Sequence, residues 1–356
     1  MKNNFLILGF TIILFAGACN NSKKHSGDIT SQNVTNAQEP EQQNKTVKIL
    51  FGSCNKQGKK QALWDDLQNE SGDMFLWLGD NIYGDSDDRK VMQRKYRQLN
   101  ANPGYSQFKK SVPIINGTWD DHDYGVNDGG KEYPAKAMSQ QLMLDFLEIP
   151  KEHPRRSREG VYDKISLNKK GVNIDIFILD TRYFRDPIVG IKGKFKGEST
   201  GTILGKEQWK WLDQELGKST ADIHIFLSSI QLIAEDHGFE KWGNFPAEKK
   251  KFLDLVASHN INYPIILSGD RHTAEISMQK YKGYMFYDIT SSSLNSGTKK
   301  RAEENRYRVP GSDLIFVPNY GILEISKTDK LGIKATIKTE FNRPMVEEDL
   351  FVGMKR

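Results

Sequence analysis

The stretch "TWDDHDYG", Thr118 to Gly125, sets Asp120, Asp121 and Asp123 around His122 directly after the apolar run "VPIING". Asp and Gly are ordinary turn formers, so a solvated loop would need nothing more. The same residues are hard oxygen ligands and a proton carrier, and together they suit a metal and proton-transfer loop at the end of a strand. Other loops carry similar chemistry: Cys54 in "KILFGSCNKQ", Asp80 and Tyr83 in "MFLWLGDNIYGD", Asp270 and His272 in "YPIILSGDRHTAEI". Each follows a short apolar run. A thiolate, a phenolate, carboxylates and an imidazole span soft and hard ligand character, which fits two unlike metals, a transition metal and a harder cation. Singly, each has a structural alternative: Cys54 as a small buried hydrophobe, Tyr83 as a core aromatic, "GDRH" as a capped turn. Their repetition at successive strand ends favours one shared centre.

The segments that must position these loops read as alternating strands and helices. Further apolar runs are "NIDIFILDTRYF" and "IHIFLSSIQL". Between runs, "GKEQWKWLDQELGK" and "PAEKKKFLDLVASHN" place Trp211, Leu212 and Leu216, then Phe252, Leu253 and Val256, at helical spacing. This pattern predicts α/β layers with functional groups gathered at strand ends. A chain of 356 residues holds one large α/β domain or two modest ones. A mean hydropathy of -0.62 argues against multiple membrane spans. The formal charge of +5 is spread through Lys-rich stretches without a dense basic block. No nucleic-acid partner is expected, and a mildly basic surface favours anionic substrates.

At the N-terminus, Lys2 precedes the apolar run "FLILGFTIILFAGA", too short to span a bilayer comfortably, and then Cys19. This reads as a signal peptide. It resembles a bacterial lipoprotein signal, with Ala16 where leucine is usual, which implies cleavage after residue 18 and lipidation of Cys19. An ordinary signal peptide or short anchor is the alternative. Residues 19–46 are polar, with Ile29 and Val34 as the only large aliphatics, and predict a flexible tether. As a coil, its roughly 27 residues reach about 30 Å. Lipidation of Cys19 would leave Cys54, the other of two cysteines, with no intramolecular disulfide partner. The expected organisation is a signal over 1–18, a tether over 19–46 and a catalytic domain over 47–356, exported and lipid-anchored in the bacterial cell envelope.

"FGSC", "WLGDNIYGD", "TWDDHDYG", "LDTRYFR" and "LSGDRH" resemble the ordered motifs of PhoD-like phosphoesterases, the alkaline phosphatase D family within the metallophosphoesterase superfamily. "TILGKEQWKWL", "WGNFPAEKKKFLDLV" and "FVPNYGILEI" resemble further family segments, so the likeness runs from about Lys48 to Ile325. The resemblance implies a metallophosphoesterase-type β-sandwich flanked by helices, in αββα layers. It also implies two metals, ferric iron with calcium, other divalent cations being alternatives at the second site. Cys54, Tyr83 and His272 would bind the first metal, Asp121 and Asp270 the second, and Asp80 would bridge them. His122 falls on the superfamily's catalytic histidine, as acid or orienting group for phosphate-ester cleavage by a metal-bridging hydroxide. Arg182, in "LDTRYF", could clamp a phosphate or instead pair with Asp180 or Asp186.

Larger members carry a β-rich N-terminal domain, whereas here only the expected signal and tether precede Lys48. Substrate habits that depend on that domain are therefore not carried over. The Gly-rich, basic stretch from Asp186 to Ile203 reads as a solvated insertion loop or as a rim that attracts anions. A covering helix after Glu340, present in some relatives, has no clear counterpart. The leading expectation is an extracytoplasmic phosphoesterase acting on organic phosphate esters. Its alternatives are a phosphodiesterase or phospholipase-D-like enzyme, and a non-catalytic metal- or anion-binding envelope lipoprotein.

Overall fold

The structure is a computed structural model that describes residues 45–352. The expected signal peptide, Cys19 and nearly all of the expected tether lie outside the described residues.

The first half runs β1 (Thr46–Gly52), α1 (Trp64–Asn69), β2 (Met74–Leu78), α2 (Arg89–Asn100), α3 (Pro103–Ser111), β3 (Ile115–Thr118), α4 (Asp121–Tyr124) and α5 (Lys136–Phe146). Next come β4 (Asp163–Lys169), β5 (Val172–Ile178), α6 (Gly205–Lys218), β6 (Ile223–Leu227), α7 (Pro246–Ser258), β7 (Pro264–Ser268), β8 (Glu275–Tyr281) and β9 (Tyr284–Thr290). Strands β10 (Tyr320–Lys327), β11 (Leu331–Thr339) and β12 (Arg343–Asp349) complete the described chain. Strand β1 starts at the last residue assigned to the tether, because Thr46 already pairs across to Ser326 of β10.

Two six-stranded sheets form, ordered β12-β11-β10-β1-β2-β3 and β4-β5-β6-β7-β9-β8. Within them β1, β2 and β3 are parallel, as are β5, β6, β7 and β9. Parallel strands are covered on both faces, which is why "MFLWL" is apolar throughout and wholly buried. Alternation then assigns each side chain to a layer. Ile49, Phe51, Leu76 and Leu78 pack inward against Ile176, Ile225 and Leu267 of the second sheet. Leu50, Phe75 and Trp77 turn outward beneath Trp64 of α1, Phe108 of α3 and Phe146 of α5. On the far side, Phe177, Phe226 and Ile266 meet Leu212 of α6 and Phe252 of α7. The αββα sandwich is therefore as expected. Residues 205–218 and the first part of "PAEKKKFLDLVASHN" form the two anticipated helices.

After Glu340 the described chain continues as the edge strand β12 rather than as a helix over the strand ends. Among the described residues, no helix is long and apolar enough to cross a membrane.

Candidate metal centre

The loops after β1, β2 and β7 share an unusual backbone. Cys54 (φ 55°), Asp80 (φ 53°), Asp270 (φ 64°) and His272 (φ 55°) all adopt the left-handed conformation. Such residues cost of order 1–3 kcal/mol each and persist only where the surroundings enforce them. Here they turn the chain sharply at the strand ends, so four side chains nominated from sequence leave the sheets within one to four residues of the last strand hydrogen bonds. Gly79 (φ 98°) allows the loops after β2 and β3 to touch: a Cβ there would lie 2.5 Å from Cβ of Asp120.

Among the described residues, ligand-type atoms then converge in three groups, each with its members within 4.8 Å of one another: Cys54, Asp80 and His272; Asp80, Asp121 and His122; Asp120, Asp121 and Asp270. Asp80 belongs to the first two and Asp121 to the last two, so the groups form one continuous cluster. Tyr83 joins it through Oη, 3.4 Å from His272 Nε2. The His272 Nδ1 contact is the Ser296 carbonyl, which can only accept. That bond puts the ring proton on Nδ1 and leaves Nε2 as a lone-pair donor toward the cluster. Cys54 is fully buried, with Sγ 3.0 Å from Ser292 Oγ.

The electrostatics call for a cation. Burial, with Asp121 and Asp120 next in weight, pushes the Asp80 carboxyl well above its ordinary range. Burial and Asp121 likewise bring Asp270 up to about 7. Burial and Asp80 raise the Cys54 thiol, and burial lowers His272 to about 4. Against its own burial, Asp121 is held down at about 2 by Arg182 and His122. Asp80 Oδ2, Asp120 Oδ2 and Asp121 Oδ1 are buried without a hydrogen-bond partner among the described residues. Buried oxygens of this kind require one, and cations would supply it. The donor set fits: sulfur, nitrogen, phenol and carboxylate lie at one end, and carboxylates alone at the other.

Three residues of the opening motif have distinct partners. His122 Nδ1 lies 2.6 Å from Asp85 Oδ1, and its ring packs 4.1 Å from that of Tyr83. Burial opposes a charged His122, but the Asp85 hydrogen bond and the neighbouring carboxylates raise its pKa. Asp123 accepts from the backbone N–H of Asp120 at 2.6 Å and of Asn81 at 3.1 Å, tying the β2 and β3 loops together. Asp120 accepts from Arg182 Nε and Ser229 Oγ, both at 2.6 Å.

Arg182 does not serve as the phosphate clamp. Its side chain is fully buried, with Nη1 2.6 Å from Glu240 and Nε on Asp120. Its guanidinium partners are therefore not the carboxylates of Asp180 or Asp186 either; the contact of Arg182 with the Asp180 carboxylate is through its backbone N–H, at 2.9 Å. Against the cost of burial, Asp120 and Glu240 hold the guanidinium charged.

A cavity of about 380 Å³ opens above the cluster, lined by Asp121, His122, Asp270 and His272. Five cations also line it, Lys56, Lys59, Lys192, Arg271 and Arg301, alongside the carboxylates of Asp128, which pairs with Lys192 at 2.7 Å, and Glu240. The basic stretch 186–203 reaches it through Lys192 and Phe195. Asp85, Arg271 and Arg301 were not found by sequence reasoning. Asp85 closes the same "GDNIYGD" loop as Asp80, and Arg271 separates two nominated ligands; those positions were the available signals.

Comparison with known proteins agrees with this architecture. Alkaline phosphatase D of Bacillus subtilis (strain 168) is 25% identical over 243 residues, 57% of this chain and 40% of that protein. The chain thus spans about two fifths of the length of this curated relative. A solved structure of PhoD superposes with a TM-score of 0.68 at 17% identity, covering 87% of this chain and 72% of that one. The anchor in the inner membrane complex of Plasmodium superposes with a TM-score of 0.56 at 12% identity, over 87% of this chain and 90% of that one. Both structural likenesses are of fold. The family profile described as PhoD-like phosphatase matches residues 49–339, from inside β1 to the end of β11 and across every loop that feeds the cluster. On that match, the chain belongs to the PhoD-like phosphatase family.

Proposed function

We propose that this protein is a metal-dependent phosphoesterase, exported and lipid-anchored through Cys19 in the bacterial cell envelope, that hydrolyses organic phosphate esters. The observation that carries the reading is a cluster of buried carboxylates, with oxygens that lack hydrogen-bond partners among the described residues, which reaches a cavity through Asp121 beside His122, itself held by Asp85. Cys54, Tyr83, His272 and Asp80 would hold ferric iron. Asp80, Asp121 and Asp270 would hold calcium or another divalent cation, with Asp120 as a further oxygen donor. When bound, such a pair supplies an acidified water for in-line attack and neutralises phosphate oxygens.

The chain's own residues do the rest. His122, held by Asp85 and biased toward its charged form, gives a proton to the departing oxygen or orients the phosphoryl group. Lys56, Lys192 and the two arginines line the cavity with positive charge and draw the anionic ester in. The apolar run before Cys19, followed by a polar stretch, supports export and anchoring.

The test is turnover by the purified full-length chain, metal-stripped and then reconstituted with iron and calcium. Metal-dependent release of p-nitrophenol from p-nitrophenyl phosphate is the expected result, and bis(p-nitrophenyl) phosphate measured alongside separates monoesterase from diesterase. Absence of turnover on both substrates in metal-replete protein overturns the reading. His122→Ala is expected to keep its metals and lose about 10²- to 10⁴-fold in kcat; unchanged function would indicate a binding protein instead. For the anchor, Cys19→Ala should move the protein out of the membrane fraction.

A further inference from the structure

We infer that Arg271 and Arg301 form a second anion subsite in the same cavity, selecting esters whose leaving group carries a further phosphate-sized anion. This rests on the phosphoesterase reading above.

The two guanidiniums are built into place. Glu303 accepts from Arg271 Nη2 through one oxygen and from Arg301 Nε, at 2.9 Å, through the other. The ring of Phe239 lies beneath both, 4.7 Å from Arg271 Cζ and 5.5 Å from Arg301 Cζ. One carboxylate thus fixes two cations, and the patch keeps a net positive charge. The Arg271 side chain is 3% exposed yet lines the cavity. Its buried Nε has no hydrogen-bond partner among the described residues. Glu303 engages Nη2, so a guanidinium that lines the cavity keeps donor capacity beyond that ion pair, which a phosphate can take up.

Arg301 is 30% exposed and reaches Thr298 Oγ1 at 3.4 Å, so it closes the subsite from the solvent side. The carboxylate cluster and the arginine pair border a single cavity of about 380 Å³. That volume suits a small molecule with two anionic groups joined by a short linker. The phosphoryl group to be cleaved would lie at the cluster and the second anion on the planar arginine forks.

The experiment compares kcat/KM of the metal-reconstituted full-length chain for propane-1,3-diyl bisphosphate and for propyl phosphate, by phosphate release. The wild-type protein should favour the bisphosphate by about tenfold or more, the effect of a charge-assisted contact. Arg301→Ala should bring that ratio close to one, mainly through KM, and Arg301→Lys should restore part of it. Lys194→Ala, an exposed lysine outside the cavity, should retain it. Binding of propane-1,3-bisphosphonate and propylphosphonate is measured in parallel by calorimetry, with the same variants. Equal kcat/KM for both esters in the wild type, or an unchanged ratio in Arg301→Ala, overturns the subsite and leaves the hydrolase reading intact. Failure to hydrolyse either ester, with the bisphosphonate preference present and lost in Arg301→Ala, overturns the hydrolase reading and supports the subsite as an anion site.

Discussion

Asp85→Asn isolates what the carboxylate does for His122. The amide keeps an acceptor oxygen within reach of Nδ1, now 2.6 Å from Asp85 Oδ1, and removes only the negative charge. A hydrogen bond to a charged group contributes about 1.5–3 kcal/mol. The Asp85 side chain is 43% exposed and that of His122 17%, so solvent screening reduces the charge component to about 1 kcal/mol. That corresponds to about a fivefold loss of kcat where His122 must be protonated. The sign is fixed: Asp85 raises the His122 pKa, so its loss deprotonates the histidine at lower pH. The alkaline limb of the kcat profile must move acidward. This direction holds whatever cations occupy the neighbouring carboxylates, because removing a negative charge can only disfavour an imidazolium. The assay is kcat for a phosphomonoester from neutral to alkaline pH, with iron and calcium content measured on the same samples. An alkaline limb that stays in place refutes the argument. So does a fall in metal content that tracks the fall in kcat, since Asp85 would then act on the metal site rather than on the proton.

Two further predictions concern buried charge and stability. Glu240, 2% exposed, pairs with both Arg182 and Arg185, and Glu240→Ala removes a buried counter-charge from both, Arg182 keeping Asp120; urea denaturation should show a loss of about 3–5 kcal/mol. Asp288 is fully buried, accepts from Leu232 and Ile233 N–H and from Ser268 Oγ, and burial raises it from 3.8 to about 6. Its favourable contribution is present below about pH 4 and lost as pH rises to about 6, so wild-type stability relative to Asp288→Asn should fall by roughly 3 kcal/mol over that window. Parallel stability curves for the two proteins would refute this.

Local chemistry was legible in the sequence where it coincided with a local pattern. Strand followed by Gly-Asp marks both Asp80 and Asp270, and "DDH" marks Asp121 and His122, because each depends on a strand end and a few following residues. Helices α6 and α7 were legible for the same reason: their apolar stripes repeat within one element. Strand pairing was not. Strand β1 lies between β2 and β10, and its Ile49 faces Met74 on one side and Leu323 on the other, a choice that no local pattern encodes. Arg182 was misread because "LDTRYF" shows that an arginine follows the strand but not which way it turns. Its partner Glu240 is 58 residues away in sequence, in a loop with no motif of its own. Arg301 and Glu303 were invisible on the same ground, since an ion pair becomes a site only when the fold brings a ring and a cavity to it.

The reassignment of Arg182 also explains the differing acidities of the cluster. Asp120 accepts through Oδ1 from Arg182 and Ser229, its Oδ2 has no hydrogen-bond partner among the described residues, and it groups with Asp121 and Asp270. Arg182 thereby places positive charge behind the carboxylates without entering the cavity. Asp121, with Arg182 and His122 beside it, is held down at about 2, where burial drives Asp80 and Asp270 up. Glu240 in turn balances Arg182 and ties it to Arg185, so the supporting charges alternate in sign from Asp120 to Arg185. An alternating buried chain of this kind keeps each charge compensated and its geometry fixed. A fixed, ionised Asp121 next to His122 is what a second cation site needs: one carboxylate already charged to attract the ion, with neighbours that surrender their protons as it binds. The residue nominated to hold substrate therefore acts one layer deeper, on the carboxylate that would hold the metal.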